Sequence, residues 1–170
     1  LQRRGDERRC RPLFLFFFMV IILPLALSGD RVEGRNTVTP IDHAGFQGIL
    51  KNAPCPVMVV AMAAWCAPCR EELPTLGNLY RKYKDKGLNM IGLSLDVGGP
   101  GVIQPIVDRM DVPFPVFWGG DKLAFRYRIS AIPLIMIVHK GEVTEKIIGQ
   151  RSESFLEEKV TAMLTECKAL

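Results

Sequence analysis

The 170 residues hold two histidines and five cysteines, and one cysteine pair alone, Cys66 and Cys69, stands at C-x-x-C spacing. No second C-x-x-C and no H-x-x-x-H accompanies it, so no local pattern supplies the four ligands of a structural zinc site. Cys10, Cys55, Cys167, His43 and His139 are scattered singly. No internal repeat or low-complexity stretch is present. A long membrane-spanning run is also missing. The longest uncharged apolar stretch, residues 12–27 (PLFLFFFMVIILPLAL), is short of the roughly 20 residues that cross a bilayer comfortably. Any basic excess is equally local. The first 28 residues contain 5 of the 22 basic and 2 of the 18 acidic side chains, which leaves 17 against 16 in the remainder. That balance excludes a basic stripe for nucleic acid.

What is present at the N-terminus is the layout of an export signal. Arg3, Arg4, Arg8, Arg9 and Arg11 precede the apolar run, and Ala26-Leu27-Ser28 fits a small-x-small cleavage pattern. Residues 1–28 are expected to send the chain to the periplasmic or other extracytoplasmic face of a membrane, either cleaved or kept as a tether through residues 12–28. Residues 29–36 (GDRVEGRN) are polar and glycine-bearing and read as a linker, leaving residues 37–170 as the folded domain.

Within that domain, strand and helix patterns alternate. Residues 37–41 suit an edge strand because they contain Pro40. Asp42 is placed to cap a helix with Phe46, Ile49 and Leu50 on one side, stopped by Pro54-Cys55-Pro56. Residues 57–64 (VMVVAMAA) form a continuous apolar run, as expected of a central strand buried on both faces. A helix to about residue 86 follows Cys69, with Pro74 inside it expected to kink it. A second apolar strand at 88–97, a helix at 102–110, a short strand at 116–118 and a helical turn at 121–127 come next. LIMIVH (134–139) and residues 143–148 flank Lys140-Gly141-Glu142, a hairpin signal. An amphipathic helix from Ser152 to about Cys167 closes the chain. This order predicts an α/β sandwich around a mixed sheet.

Cys66-Ala67-Pro68-Cys69 falls between the buried strand and a helix. Free N–H groups and the dipole at a helix N-terminus favour an anion. A cysteine there gains thiolate character, with pKa values of roughly 3.5–7.5 in such settings. Cys66 is therefore expected to be the exposed attacking thiol and Cys69, one turn on, the buried resolving one. Pro68 removes an N–H that a helix start does not use. A disulfide closing so short a loop constrains the unfolded chain little, which argues against a purely structural bridge. Ile132-Pro133 stands just before the LIMIVH strand.

The string Trp65-Cys66-Ala67-Pro68-Cys69-Arg70-Glu71-Glu72-Leu73-Pro74, the Ile132-Pro133 site and Lys140-Gly141-Glu142 with Gly149 resemble the thioredoxin-like superfamily. Within it they are most similar to the TlpA/ResA-type exported reductases, over residues 37–168. The resemblance implies a three-layer sandwich and a redox-active Cys66–Cys69 disulfide with no further cofactor. It also implies a cis Pro133 and substrates that are the thiols and disulfides of other proteins, as in cytochrome c maturation. A membrane thiol electron donor would re-reduce the pair. Trp65, Pro68, Ile132 and Pro133 become substrate-binding residues. Glu72 matches a glutamate that manages the thiol protons. Val60, six residues before Cys66, stands where many thioredoxins carry a buried acid, so Glu72 or water is left to take the Cys69 proton. Leu134 replaces a usual threonine and is expected to make the substrate groove more apolar.

Other uses of the two thiols stay open at this point. One is a copper-binding or metallochaperone module, with Met62 as the nearest further soft ligand. Another is an oxidase or isomerase of protein disulfides, and a third is a binding domain with a structural disulfide. Cys55 and Cys167 fall at the end of such a fold opposite Cys66. A bridge there would be a staple, but spacing does not decide whether they meet. Trp118 is expected in the core, and His43 and His139 at the surface without partners.

Overall fold

The computed structural model describes residues 36–169; the expected export segment and residues 29–35 of the expected linker lie outside the described residues. Strand β1 is short, Thr39–Pro40, and helix α1 spans His43–Asn52. Asp42 caps α1 by accepting the Gly45 N–H at 2.8 Å. Such caps contribute about 1 kcal/mol. Strand β2 covers Val57–Met62 and is buried throughout. Helix α2, Ala67–Tyr83, runs on through Pro74, whose missing N–H leaves the Arg70 carbonyl without its helical donor. Strand β3 is Asn89–Ser94, α3 is Gln104–Arg109, β4 is Val116–Trp118 and α4 is Gly120–Arg126. Strands β5 (Leu134–His139) and β6 (Glu142–Ile148) form the expected hairpin, and α5 (Glu153–Lys168) starts at the Ser152 cap.

The strands form one six-stranded sheet in the order β1-β4-β3-β2-β5-β6. Its β1, β4, β3 and β2 pair in parallel, while β5 is antiparallel to β2 and to β6. The continuous apolar character of β2 follows from its place in the middle, with a core on each face. Met58, Val60 and Met62 pack with Leu73, Leu76 and Leu79 of α2 and with Leu156, Val160 and Met163 of α5. Val57, Val59 and Ala61 pack on the other side with Phe46 and Leu50 of α1 and Leu123 of α4. Each fully buried aliphatic side chain contributes about 1.5–3 kcal/mol in transfer terms. Strand β5 divides in the same way, with Ile135 and Ile137 on the first face and Leu134, Met136 and Val138 on the second.

Several expectations change here. Leu134, 2 % exposed, lies in the second core and cannot make a substrate groove more apolar. The cause is the period of two: it shares a face with Met136 and Val138. Asn36, placed in the linker by composition, is tied into the fold, donating to the carbonyls of Val112 at 2.8 Å and Phe114 at 2.6 Å.

Cys55 and Cys167 are bridged, with Cα atoms 5.0 Å apart. The disulfide joins the chain entering β2 to the last turn of α5. Beside it His139 is half-buried rather than free, its Nδ1 3.0 Å from Glu166. His43, also expected without a partner, accepts from Arg126 Nε at 3.3 Å.

Candidate active site

The parallel pairing of β2 with β3 runs to Met62↔Ser94, and the Leu95 N–H adds a further bond to the Met62 carbonyl at 2.9 Å. Just beyond these strand ends the chain turns through Ala63–Cys66, closed by the Cys66 N–H on the Ala63 carbonyl at 3.1 Å. Cys66 is the N-cap of α2, and its sulfur accepts the Cys69 N–H at 3.2 Å. Pro68 occupies the helix's first turn, where its missing N–H costs nothing. Cys66 and Cys69 form a disulfide with Cα atoms 5.3 Å apart.

Cys66 was expected to be exposed, yet at 4 % it is as buried as Cys69 at 3 %. The reason is the cap itself: in the bridged form the Cys66 sulfur turns over the helix end toward Cys69 and joins the core beneath. The exposed group is Trp65, 70 % accessible, so it is not a core packing residue. Trp118 is half-buried against the core, and its indole N–H donates to the Asp96 carbonyl at 2.8 Å. Met62 is buried, in the same core cluster as Cys66 and Cys69.

The Ile132–Pro133 peptide bond is cis. The register Ala61↔Leu134 sets Pro133 level with Met62, four residues before Cys66. The Pro133 carbonyl accepts the Gly149 N–H at 2.8 Å, and Gly149 sits at φ 85°, a conformation that L side chains disfavour. Ile132 is half-buried against both cores. The fold thus brings Trp65, Cys66, Pro68, Cys69, Ile132 and Pro133 to one end of the sheet.

Glu72 is 2 % exposed and is no solvated first-turn acid. It lies one turn beyond Cys69 on α2, and its Oε1 accepts the Arg151 N–H at 2.8 Å. Burial pushes its carboxyl above the ordinary 4.5, opposed by that N–H and by the Arg151 charge. A carboxyl with raised proton affinity suits proton exchange with a thiol.

Val60 is buried and apolar as read, but it does not leave Glu72 alone. Asp96 is fully buried two residues past β3, and both its oxygens accept the Ala64 N–H, at 2.9 and 3.0 Å. The Ser94 hydroxyl donates to it as well, at 3.0 Å. Sequence reasoning missed Asp96. Its signal was an acid near the end of the largely apolar stretch 88–97. Among the described residues, no group of three or more His, Cys, Asp or Glu side chains is arranged to hold a metal ion.

The family model of the AhpC/TSA family matches residues 45–146, which include most of α1, both site cysteines and the cis proline. The chain belongs to the AhpC/TSA family. Among curated proteins it is 38 % identical over 95 residues to the thiol-disulfide oxidoreductase ResA of Bacillus cereus (strain ZK / E33L), covering 55 % of this chain and 54 % of that one. The chain therefore spans about half the length of the curated relatives it matches. Among solved structures it superposes on a thiol:disulfide interchange protein, thioredoxin family protein, of Chlorobium tepidum TLS with a TM-score of 0.60. That match has 22 % identity and covers 69 % of this chain and 84 % of the other. A secreted Mycobacterium tuberculosis disulfide oxidoreductase homologous to E. coli DsbE gives a TM-score of 0.57 at 18 % identity, covering 64 % and 82 %. The fold is thioredoxin-like.

Proposed function

We propose that this chain is an exported thiol–disulfide oxidoreductase that reduces specific disulfides of other proteins. The observation that carries the reading is the Cys66–Cys69 bridge at the N-terminus of α2, with the Cys66 sulfur as the helix cap. Reduced, Cys66 at that position is the thiol whose thiolate the helix N-terminus favours. The thiolate attacks one sulfur of a substrate disulfide and expels the other as a thiolate, forming a mixed disulfide. Cys69 then attacks the Cys66 sulfur, releasing the second substrate thiol and leaving Cys66–Cys69 oxidised. Glu72 accepts or returns protons as the thiols ionise. Trp65, Pro68, Ile132 and Pro133 hold the substrate chain. The reactive group is the cysteine pair itself, without an added cofactor.

A thiol donor at the membrane would restore the dithiol, with cytochrome c maturation as the setting implied by the resemblance. Export is supported by the arginines and apolar run of residues 1–28 and by the secreted relative. Among the described residues no helix is long and apolar enough to cross a membrane. The test is capture with Cys69→Ser. Protein adducts on Cys66 that dithiothreitol releases are the expected result. Absence of adducts, together with no insulin reduction by the parent chain, contradicts exchange. A reduction potential near the roughly −120 mV of a strong oxidant overturns the reductase direction.

A further inference from the structure

The turn that delivers Cys66 is held from both sides by side chains of opposite charge. With the Cys66 N–H bonded to the Ala63 carbonyl, Ala64 and Trp65 are its central residues. The Ala64 N–H goes to both carboxylate oxygens of Asp96. The Ala64 carbonyl accepts from the Arg70 guanidinium, one turn into the helix that Cys66 caps. One residue therefore has its donor taken by an acid and its acceptor taken by a base. The other central residue, Trp65, is largely exposed, so packing of its side chain does not hold the turn.

A buried carboxylate is costly unless donors meet its lone pairs, and an apolar residue would close a buried strand more cheaply. Asp96 meets that cost with the Ala64 N–H and the Ser94 hydroxyl, that is, by binding the active-site turn. We infer that Asp96 and Arg70 form a clamp on the Ala64 peptide that positions the Cys66 sulfur and sets its reactivity with opposite signs. Both are positioning residues; Cys66 remains the reacting group. The negative charge of Asp96, bonded at Ala64 two residues before Cys66, disfavours the thiolate, and the positive charge of Arg70 favours it. The other charged side chains of the first turns of α2 are Glu71 and Glu72, and Glu72 accepts the N–H of Arg151.

The consequence is redox tuning. One Cys66–Cys69 disulfide and two glutathione thiols exchange to give two protein thiols and one glutathione disulfide, with electrons and protons balanced. Stabilising the Cys66 thiolate favours the reduced protein and makes the couple more oxidising. The clamp rests on the exchange reaction proposed above, and glutathione titration of the parent chain tests that reaction by itself. If the parent pair does not cycle reversibly, the exchange reading fails.

With a reversible parent, Asp96→Asn and Arg70→Gln test the clamp, each keeping a group able to bond the Ala64 peptide. Asp96→Asn lowers the pH midpoint of Cys66 alkylation and moves the glutathione equilibrium toward the dithiol by about tenfold, about 30 mV. Arg70→Gln moves both quantities the other way, and the double variant returns toward the parent. Two variants that move in the same direction, or that lose thermal stability while neither quantity moves, overturn the clamp. If Asp96→Asn does not fold, Arg70→Gln reads the sign by itself: a raised midpoint supports the clamp and an unchanged or lowered one overturns it.

Discussion

Two disulfides bracket the same central strand. Cys55–Cys167 lies two residues before β2 and closes a separation of 112 residues; Cys66–Cys69 lies four residues after it and closes a separation of three. By chain entropy the first constrains the unfolded state by roughly 4–5 kcal/mol and the second by about 2 kcal/mol. The surroundings differ further. The first fastens the end of α5 to the base of the sheet. The second sits on a helix N-terminus, in a turn tied by Asp96 and Arg70, with a buried carboxyl one turn away. One chemical bond thus has two roles, and its place in the fold decides which: the distal bridge holds, the proximal bridge exchanges.

The sharpest way to break that comparison is to remove each bridge in turn. Cys66→Ser should drop insulin reduction to the uncatalysed background while the melting temperature falls little. The double change of Cys55 and Cys167 to serine should do the reverse. It should cost about 2–5 kcal/mol, lowering the melting temperature on the order of 10 °C. Its kcat/KM, measured well below that temperature, should stay within about twofold of the parent. If the distal variant loses activity first, the division of roles is wrong.

Glu72 sharpens the proximal side. Glu72→Gln keeps an acceptor for the Arg151 N–H but loses the titrating proton, so exchange should slow by roughly 10- to 100-fold. Its stability carries a sign. The folded-state value is raised, so the folded protein keeps a proton that the unfolded chain releases. That contribution is fully present below about pH 4.5 and is lost as pH rises through the raised value. The melting temperature of Glu72→Gln should therefore gain on the parent between about pH 4 and pH 7; a difference that stays flat with pH contradicts the burial argument. The smallest effect belongs to the exposed Trp65. Trp65→Ala should raise KM for a protein disulfide about fivefold, near 1 kcal/mol. Reactivity with a small dithiol should stay unchanged.

Much of the fold was legible because local signals agreed with it. The edges of β4 and β5 fall where the apolar runs end, and Asp42 and Ser152 cap the helices their positions suggested. The two site cysteines and Glu72 sit in one contiguous string, so spacing alone placed them on one helix end. Asp96 was not legible, because its link to Ala64 spans 32 residues and exists only through the register that aligns β2 with β3. Leu134 was misread for a similar reason: its face is set by pairing with β2, not by its neighbour Pro133. The burial of Cys66 follows from the sulfur's capping geometry, which a four-residue motif does not reveal.

The central claim, that Cys66–Cys69 exchanges while Cys55–Cys167 holds, is tested most directly by graded reduction. The folded chain would be equilibrated in glutathione buffers of decreasing potential, alkylated, and mapped by mass spectrometry. The account predicts that Cys66 and Cys69 are labelled together first, with Cys55 and Cys167 still bridged until the chain is unfolded. Opening of Cys55–Cys167 at the same or a less reducing potential would contradict it.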